Sequence, residues 1–121
     1  MAGYVDGYVL PIQTKHVEEY RRIARKAGKV WREHGALDYR ECVGDDLDVK
    51  SGVSFPRRFN AKPGETVIFA WIVFQSRAHR DRVNKKVMKD PRLAKMMDAK
   101  SMPFELKRMV YGGFKTLVSI S

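Results

Sequence analysis

A carboxylate lies within the first apolar segment of the chain, YVDGYVLPI at residues 4–12, where Asp6 is flanked by Tyr4 and Tyr8. Alternate residues of an extended strand share one face, so these three side chains point the same way. Burying a carboxylate is costly unless a partner compensates its charge. Such a carboxylate is a candidate acid, base or ligand anchor, and a structural ion pair is the alternative. We expect Arg108, near the C-terminus, to be its partner.

The C-terminal segment MPFELKRMVYGGF, residues 102–114, combines polar and aromatic residues with two adjacent glycines. Met109, Tyr111 and Gly113 share one face of a strand there, which directs the tyrosine hydroxyl toward a pocket. Glycines within a strand mark either a close approach of backbone or ligand, or a bulge, and both interpretations are open here. Because Arg108 and Tyr111 are three residues apart, a regular strand points only one of them inward.

Two further positions are candidates for a pocket wall. Trp71 shares a strand face with Phe69, and both residue types are also common in a core or a dimer interface. Glu41 is predicted either to line a pocket or to form an ion pair across the sheet. The candidate pocket consists of five residues: Asp6, Trp71, Arg108, Met109 and Tyr111.

The composition argues against several kinds of site. The single cysteine, Cys42, cannot form an intrachain disulfide, and three scattered histidines without zinc-type spacing predict no metal site. The glycine pair at 112–113 matches neither a phosphate-binding loop nor a dinucleotide-binding motif, so we expect no cofactor. No signal peptide is recognisable, and no apolar run approaches the roughly 20 residues of a membrane span. We therefore expect a cytoplasmic protein without membrane contacts.

The elements that position these residues follow from hydrophobic periodicity. After the strand at 4–12, apolar residues at three- and four-residue spacing predict a helix that Thr14 caps and Gly35 ends. A second helix is predicted from a Ser76 cap to Lys89, followed by a short helical turn at 92–97. Further strands are predicted at 36–43, 54–61 (short and irregular, with Pro56), 66–74 and 107–118.

Both faces of the segment TVIFAWIVF, residues 66–74, are apolar, which predicts a strand that is buried on both sides. The order β-α-β-β-α-β predicts an α+β fold: a ferredoxin-like antiparallel sheet with both helices on one face, in a single domain over residues 1–121. No element remains to cover the other face of the sheet. We therefore expect a homodimer whose two sheets pack face to face, as a dimeric α+β barrel.

The net charge of +10 is distributed unevenly. The segments 14–34 and 76–100, both predicted to be mainly helical, carry the whole excess of positive charge, and the rest of the chain is balanced. Basic helices bind polyanions with an affinity that falls with salt. Binding of RNA or another polyanion is therefore one hypothesis, and it is less favoured because no RNA-binding motif accompanies the charge.

Four stretches together resemble the YbaA-like family of small bacterial proteins of unknown function: YVDGYV, HGAL followed by EC, WIVFQSRAHRDRVNKKVMKDPRL and MPFELKRMVYGGF. The resemblance covers nearly the whole chain. It implies the fold of the dimeric α+β barrel superfamily, which includes small monooxygenases and muconolactone isomerase-like enzymes, and it implies no activity. The favoured function is small-ligand binding by a homodimer. A cofactor-independent monooxygenase- or isomerase-like enzyme is the alternative, and it depends on fold analogy alone.

Overall fold

A computed structural model describes residues 3–98 and 102–121, so the last two residues of the basic segment 76–100 lie outside the described residues. The strands are β1 (Tyr4–Gln13), β2 (Asp38–Val43), β3 (Glu65–Phe74) and β4 (Val110–Lys115). The helices are α1 (Val17–Glu33), α2 (Phe55–Arg58), α3 (Arg77–Met88) and α4 (Pro91–Met96), and 3₁₀ turns span Thr14–His16 and Leu106–Arg108.

The four strands form one antiparallel sheet in the order β2-β3-β1-β4. β1 pairs with β3 over its whole length, from Tyr4 opposite Phe74 to Gln13 opposite Glu65. The first and last strands are neighbours, and β2 and β4 form the two edges. The prediction of an α+β fold with an antiparallel sheet is confirmed.

α1 forms because its apolar residues recur at helical spacing and face the sheet, where Tyr20, Ala24 and Trp31 are buried. Gly35 follows its C-terminus with a φ of +118°, a conformation that favours glycine, and this agrees with the predicted end. The predicted Thr14 cap is wrong. Thr14 opens the 3₁₀ turn instead, and His16, the N-cap of α1, makes no side-chain capping bond.

One face of the sheet packs against α1, α3 and α4 and forms the core. The core residues of this layer come from β1 and β3 and from the three helices: Tyr4, Leu10, Ile12, Ile68, Ile72, Phe74, Tyr20, Ala24, Val30, Trp31, Val83, Val87 and Leu93. Ser76 caps α3 as predicted, since its Oγ accepts a hydrogen bond from the His79 backbone N–H at 3.1 Å. The two long helices therefore lie on the same side of the sheet.

The segment 54–61 is not a strand, and that prediction is wrong. It contains α2 because Ser54 Oγ accepts a hydrogen bond from the Arg57 backbone N–H at 3.3 Å and Pro56 sits in the first turn, where proline is tolerated. α2 packs on the second face of the sheet, with Phe55 against Phe69 at 6.2 Å between ring centroids. Part of this second face is therefore covered by the chain itself.

The rest of the second face is open to solvent. The prediction that β3 is buried on both sides is correct only in part. On the second face, Phe69 is 44% exposed and Trp71 is half-buried. On the edge strand β4, Val110 is 58% and Phe114 63% exposed. Exposed apolar residues grouped on one face are typical of interaction surfaces.

β4 is shorter than the predicted strand at 107–118, and its register with β1 contains no bulge. The predicted alternative of a glycine bulge is therefore wrong. Gly113 lies under Tyr4, where an added Cβ would be 2.8 Å from Tyr4 Cε2. Gly112 has no such neighbour, because its added Cβ would be 4.0 Å from the nearest atom, in Phe114. Close approach of a ring is thus the reason for glycine at 113.

Candidate ligand-binding site

A carboxylate that two tyrosines hold lies between α1 and the sheet. Glu41 is on the edge strand β2 and faces α1, together with Tyr39 two residues before it. Tyr39 Oη donates a hydrogen bond to Glu41 Oε2 at 2.6 Å, and Tyr20 Oη, from α1, donates to Oε1 at 2.5 Å. In the described part of the chain, no cationic side chain forms an ion pair with Glu41.

Burial governs the protonation of this cluster. Desolvation raises the pKa of Glu41 and outweighs the two tyrosine hydrogen bonds, which favour the ionised form. Burial, together with the nearby Glu41 carboxylate, also raises the pKa values of Tyr20 and Tyr39, so both hydroxyls stay protonated and remain donors. The site therefore holds a carboxylate that binds a proton more readily than it does in water.

Local sequence explains why these three side chains meet. The Tyr39 ring packs directly against α1 at Gly28. A side chain at position 28 would clash with this ring, because an added Cβ would lie 2.7 Å from Tyr39 Cδ1. Trp31 packs beside the same ring, with centroids 6.0 Å apart, and Phe104 meets Tyr20 edge-on at 5.6 Å. A glycine inside a helix lowers helix stability by roughly 1 kcal/mol relative to alanine. At position 28 the glycine leaves the space that the Tyr39 ring occupies.

Two cavities meet at the tyrosine–glutamate cluster. A groove of about 420 Å³ runs between α1 and β2, and a chamber of about 120 Å³ lies under α1 on its other side. Tyr20, Ala24, Tyr39 and Glu41 line both. The chamber is otherwise lined by apolar and aromatic side chains: Tyr8, Leu10, Ile23, Ala27, Trp31, Ala70, Ile72, Met97, Met102, Phe104, Leu106 and Met109. Apolar cavities with a few convergent polar groups are typical of ligand sites.

Asp6 lies elsewhere, in a buried network next to α3. It is 4% exposed, accepts a hydrogen bond from Asn84 Nδ2 at 3.3 Å, and lies 3.7 Å from Arg80 Nη1. Burial raises the pKa of Asp6, and Asn84 and Arg80 oppose that effect. The network continues from Asn84 to Trp31 Nε1 at 3.0 Å and from Arg80 to Tyr4 Oη at 3.0 Å. Asp6 lines neither the groove nor the chamber.

Arg108 does not pair with Asp6, and that prediction is wrong. β4 starts after Arg108, so the residue opposite Asp6 is Gly113. Both terminal nitrogens of Arg108 donate to the carboxylate of Glu65, at 2.7 and 2.9 Å. This bidentate pair, chiefly through its hydrogen bonds, holds the pKa of Glu65 below its ordinary value. Arg108 therefore fastens the segment before β4 to the start of β3.

The other three predicted residues lie on different sides of the sheet. Met109 lines the chamber. Tyr111 is on the same side but 69% exposed, and it stacks on Tyr8 of the chamber wall with centroids 5.8 Å apart. Trp71 is on the second face, edge-on to Phe69 at 5.6 Å. The five predicted residues therefore do not form one pocket. Of the five, Met109 lines the chamber, and Tyr111 reaches its edge by stacking on Tyr8.

The central residues of the site were only partly recognised from the sequence. From the sequence, Glu41 is predicted either to line a pocket or to form an ion pair, and Tyr20 is one of the residues whose helical spacing predicts α1. The alternation of Tyr39, Glu41 and Val43 is the available signal, because it places a carboxylate on the face that should point toward the helix.

The chemistry open to this cluster is proton exchange and hydrogen bonding. Among the described residues, no three metal-binding side chains lie close enough to hold a metal ion.

The sheet, the helices on one side of it and the cavity between them define an α+β protein with an internal site. The chain belongs to the family described as a protein of unknown function, DUF1428, which matches residues 3–106. It is 38% identical over 115 residues to the uncharacterized protein YbaA of Escherichia coli K12, covering 95% of this chain and 97% of that protein. The Shigella flexneri YbaA matches to the same extent. The resemblance to the YbaA-like family is confirmed.

Solved structures of similar fold carry the NIPSNAP family name. One, of unknown function, is from Agrobacterium tumefaciens, with a TM-score of 0.58, 14% identity, and coverage of 94% of this chain and 87% of that one. Another, an uncharacterized domain protein from Burkholderia xenovorans, has a TM-score of 0.57, 14% identity, and coverage of 96% and 94%. At this identity the likeness shows the fold alone.

None of the helices in residues 3–98 and 102–121 is long and apolar enough to cross a membrane.

Proposed function

We propose that this protein binds a small organic ligand in the groove and chamber beside α1. The observation that carries the proposal is Glu41, a half-buried carboxylate that two tyrosines hold in place and that forms no ion pair with any cation of the described residues. Removing a carboxylate from water without a counter-charge is unfavourable for stability, and carboxylates whose pKa a cavity raises are frequent at functional sites. The position of Glu41 between two cavities gives a ligand access to it from either side.

Residue-resolved NMR titration with a fragment library tests this proposal. We expect binding fragments to shift the backbone resonances of Tyr20, Tyr39 and Glu41. Substitution Glu41→Gln should weaken fragments that hydrogen-bond the carboxylate about 10- to 100-fold, since hydrogen bonds to charged groups contribute roughly 1.5–3 kcal/mol. The matched control is Asp38→Asn, the same chemical change on the same strand but on its opposite face, where the side chain is 46% exposed.

Asp38→Asn should leave these affinities unchanged. Fragments that bind without shifting any resonance of the groove or the chamber would place ligand binding elsewhere, and the proposal would be wrong.

The second part of the proposal is a homodimer formed through the open sheet face. The sheet order β2-β3-β1-β4 supports the ferredoxin-like arrangement from which dimeric α+β barrels are built, and the exposed Phe69, Val110 and Phe114 supply the apolar area. Trp71 then belongs to the interface between subunits and not to the ligand site. We expect sedimentation to give a dimer for the natural chain and a folded monomer for Phe114→Glu; equal masses for both would contradict the proposed interface.

One observation favours catalysis of the isomerase type as a second function. A carboxylate whose pKa is raised by burial is a better match to neutral pH as a general base than an ordinary carboxylate. Glu41 would remove a proton from one atom of the ligand and return it to another, which needs no oxidant. The test is exchange of ligand hydrogen for deuterium in D₂O, followed by NMR. Exchange should occur with the natural protein and stop in Glu41→Gln, and equal exchange in both would exclude this role of Glu41.

A further inference from the structure

Positive charge lines one wall of the groove. The cationic side chains come from one flank of α1 at spacings of four, four and three residues: Arg21, Arg25, Lys29 and Arg32. Residues at these spacings lie one above the other on a helix surface. Of the described residues that line the groove, Glu41 alone is acidic.

Two of the four cations already have partners. Arg21 Nε lies 3.1 Å from Glu18 Oε2, and Arg32 Nη1 donates to the carbonyl oxygens of Ala36 and Leu37, both at 2.7 Å. Within the described residues, neither Arg25 nor Lys29 forms an ion pair or a side-chain hydrogen bond. They lie one helical turn apart over the groove, so two adjacent positive charges are available to a bound molecule.

The floor of the groove is apolar. Val17, Ala24, Val43 and Ile68 line it, and the chamber beyond the tyrosine–glutamate cluster is apolar too. An anionic group would be repelled beside Glu41 when that carboxylate is ionised, whereas Arg25 and Lys29 attract it at the rim. Charge and polarity therefore fix the direction of a ligand, with its anionic end outward and its apolar end inward.

We infer that the ligand is an amphipathic organic acid, whose anionic group lies against Arg25 and Lys29 and whose apolar part follows the groove toward the tyrosine–glutamate cluster. This inference rests on the proposed function and specifies its ligand class. Helical rise sets the scale: from Tyr20, Arg25 and Lys29 lie five and nine residues along α1, which is roughly 7–14 Å. A carboxylate with a medium-length hydrocarbon chain has these dimensions.

The test compares two series of probes: straight-chain carboxylates of six to twelve carbons and primary alcohols of the same lengths. NMR titration gives the affinity and the contacted residues together. Ion pairs with exposed side chains each change affinity roughly twofold to fivefold, so with two such pairs we expect acids to bind about 4- to 25-fold more tightly than alcohols of equal length. The preference should shrink as salt is raised.

Charge-removal variants locate the anionic group. In the double variant Arg25→Gln, Lys29→Gln the preference for acids should fall to about one. The matched control is Arg22→Gln, Lys26→Gln, which removes two exposed charges from the same helix but outside the groove, and there the preference should persist. A preference that survives in the first double variant, or disappears in the control, would overturn the assignment to Arg25 and Lys29.

Failure of the inference and failure of the proposed function give different results. If acids and alcohols bind equally and shift the same groove resonances, the ligand class is wrong while the ligand site stands. If no probe of either series, and no fragment, shifts the resonances of Tyr20, Tyr39 or Glu41, the ligand site itself is wrong. Circular dichroism of each variant checks that its helix content is the same as that of the natural chain.

Discussion

The substitution Glu41→Gln should make the protein more stable at neutral pH, although it removes a residue with two short hydrogen bonds. The pKa of Glu41 is higher in the folded chain than in the unfolded chain, so the folded state binds more protons between those two values. The free energy of unfolding therefore falls as pH rises from the ordinary carboxylate pKa to the raised one. Glutamine mimics the protonated acid and has no such loss.

The magnitude follows from the linkage between protonation and stability. Each unit by which burial raises the pKa corresponds to about 1.4 kcal/mol. For a chain of 121 residues, 1 kcal/mol shifts the melting temperature by roughly 4 °C. At pH values above the raised pKa, the melting temperature of the variant should therefore exceed that of the natural chain by roughly 5 °C for every unit by which the pKa is raised. At pH 4 or below, both side chains are neutral and the two melting temperatures should differ little.

Thermal unfolding followed by circular dichroism from pH 4 to pH 9 measures this difference. Only the difference curve between variant and natural chain is informative, since Asp6 is a second carboxylate whose pKa burial raises. The exposed control Asp38→Asn should give a curve without this pH dependence. A difference between Glu41→Gln and the natural chain that stays constant across the whole range would refute the conclusion that desolvation raises the pKa of Glu41.

Two further substitutions test contacts that hold the site's surroundings in place. Gly113→Ala should destabilise the fold by roughly 1–3 kcal/mol in urea unfolding, because its Cβ meets the Tyr4 ring, whereas Gly112→Ala has room and should cost less; equal losses would contradict the close packing of Tyr4. Arg108→Ala should destabilise by roughly 1–3 kcal/mol by leaving Glu65 without its bidentate donor. Since Arg108 lowers the pKa of Glu65, that deficit should shrink as pH falls below about 4, and a deficit that grows in acid would be inconsistent with the pair.

The parts of the fold that could be predicted are those set by local periodicity. The predicted bounds of β1, β3 and α1 agree with the observed ones within a few residues because apolar patterns extend over most of each element. α3 has few apolar residues, and its start is predicted from the Ser76 cap instead. α2 was missed because a four-residue helix has no measurable period. Ser54, its cap, and Pro56 are the informative residues, but a proline is also typical of an edge strand.

The site depends on contacts that sequence spacing does not encode. The partner of Arg108 is set by where β4 begins, and a shift of that start by three residues separates Arg108 from the strand that neighbours Asp6. The cluster joins β2 to α1 through Glu41 and Tyr20, which lie 21 residues apart in the chain. Alternation along β2 predicts which way Glu41 points, but only the packing of Tyr39 on Gly28 brings the two hydroxyls to it.

The two tryptophans lie on opposite sides of the sheet, and this gives the protein two separate optical reporters. Trp31 lines the chamber and donates its indole N–H to Asn84, while Trp71 lies on the open face beside Phe69. The chain contains only these two, so replacing either with phenylalanine leaves a single emitter. Emission from Trp31 alone would follow events in the chamber, and emission from Trp71 alone would follow association of the sheets. The proposed ligand binding and the proposed association of two sheets can thus be followed independently in one protein without an added dye.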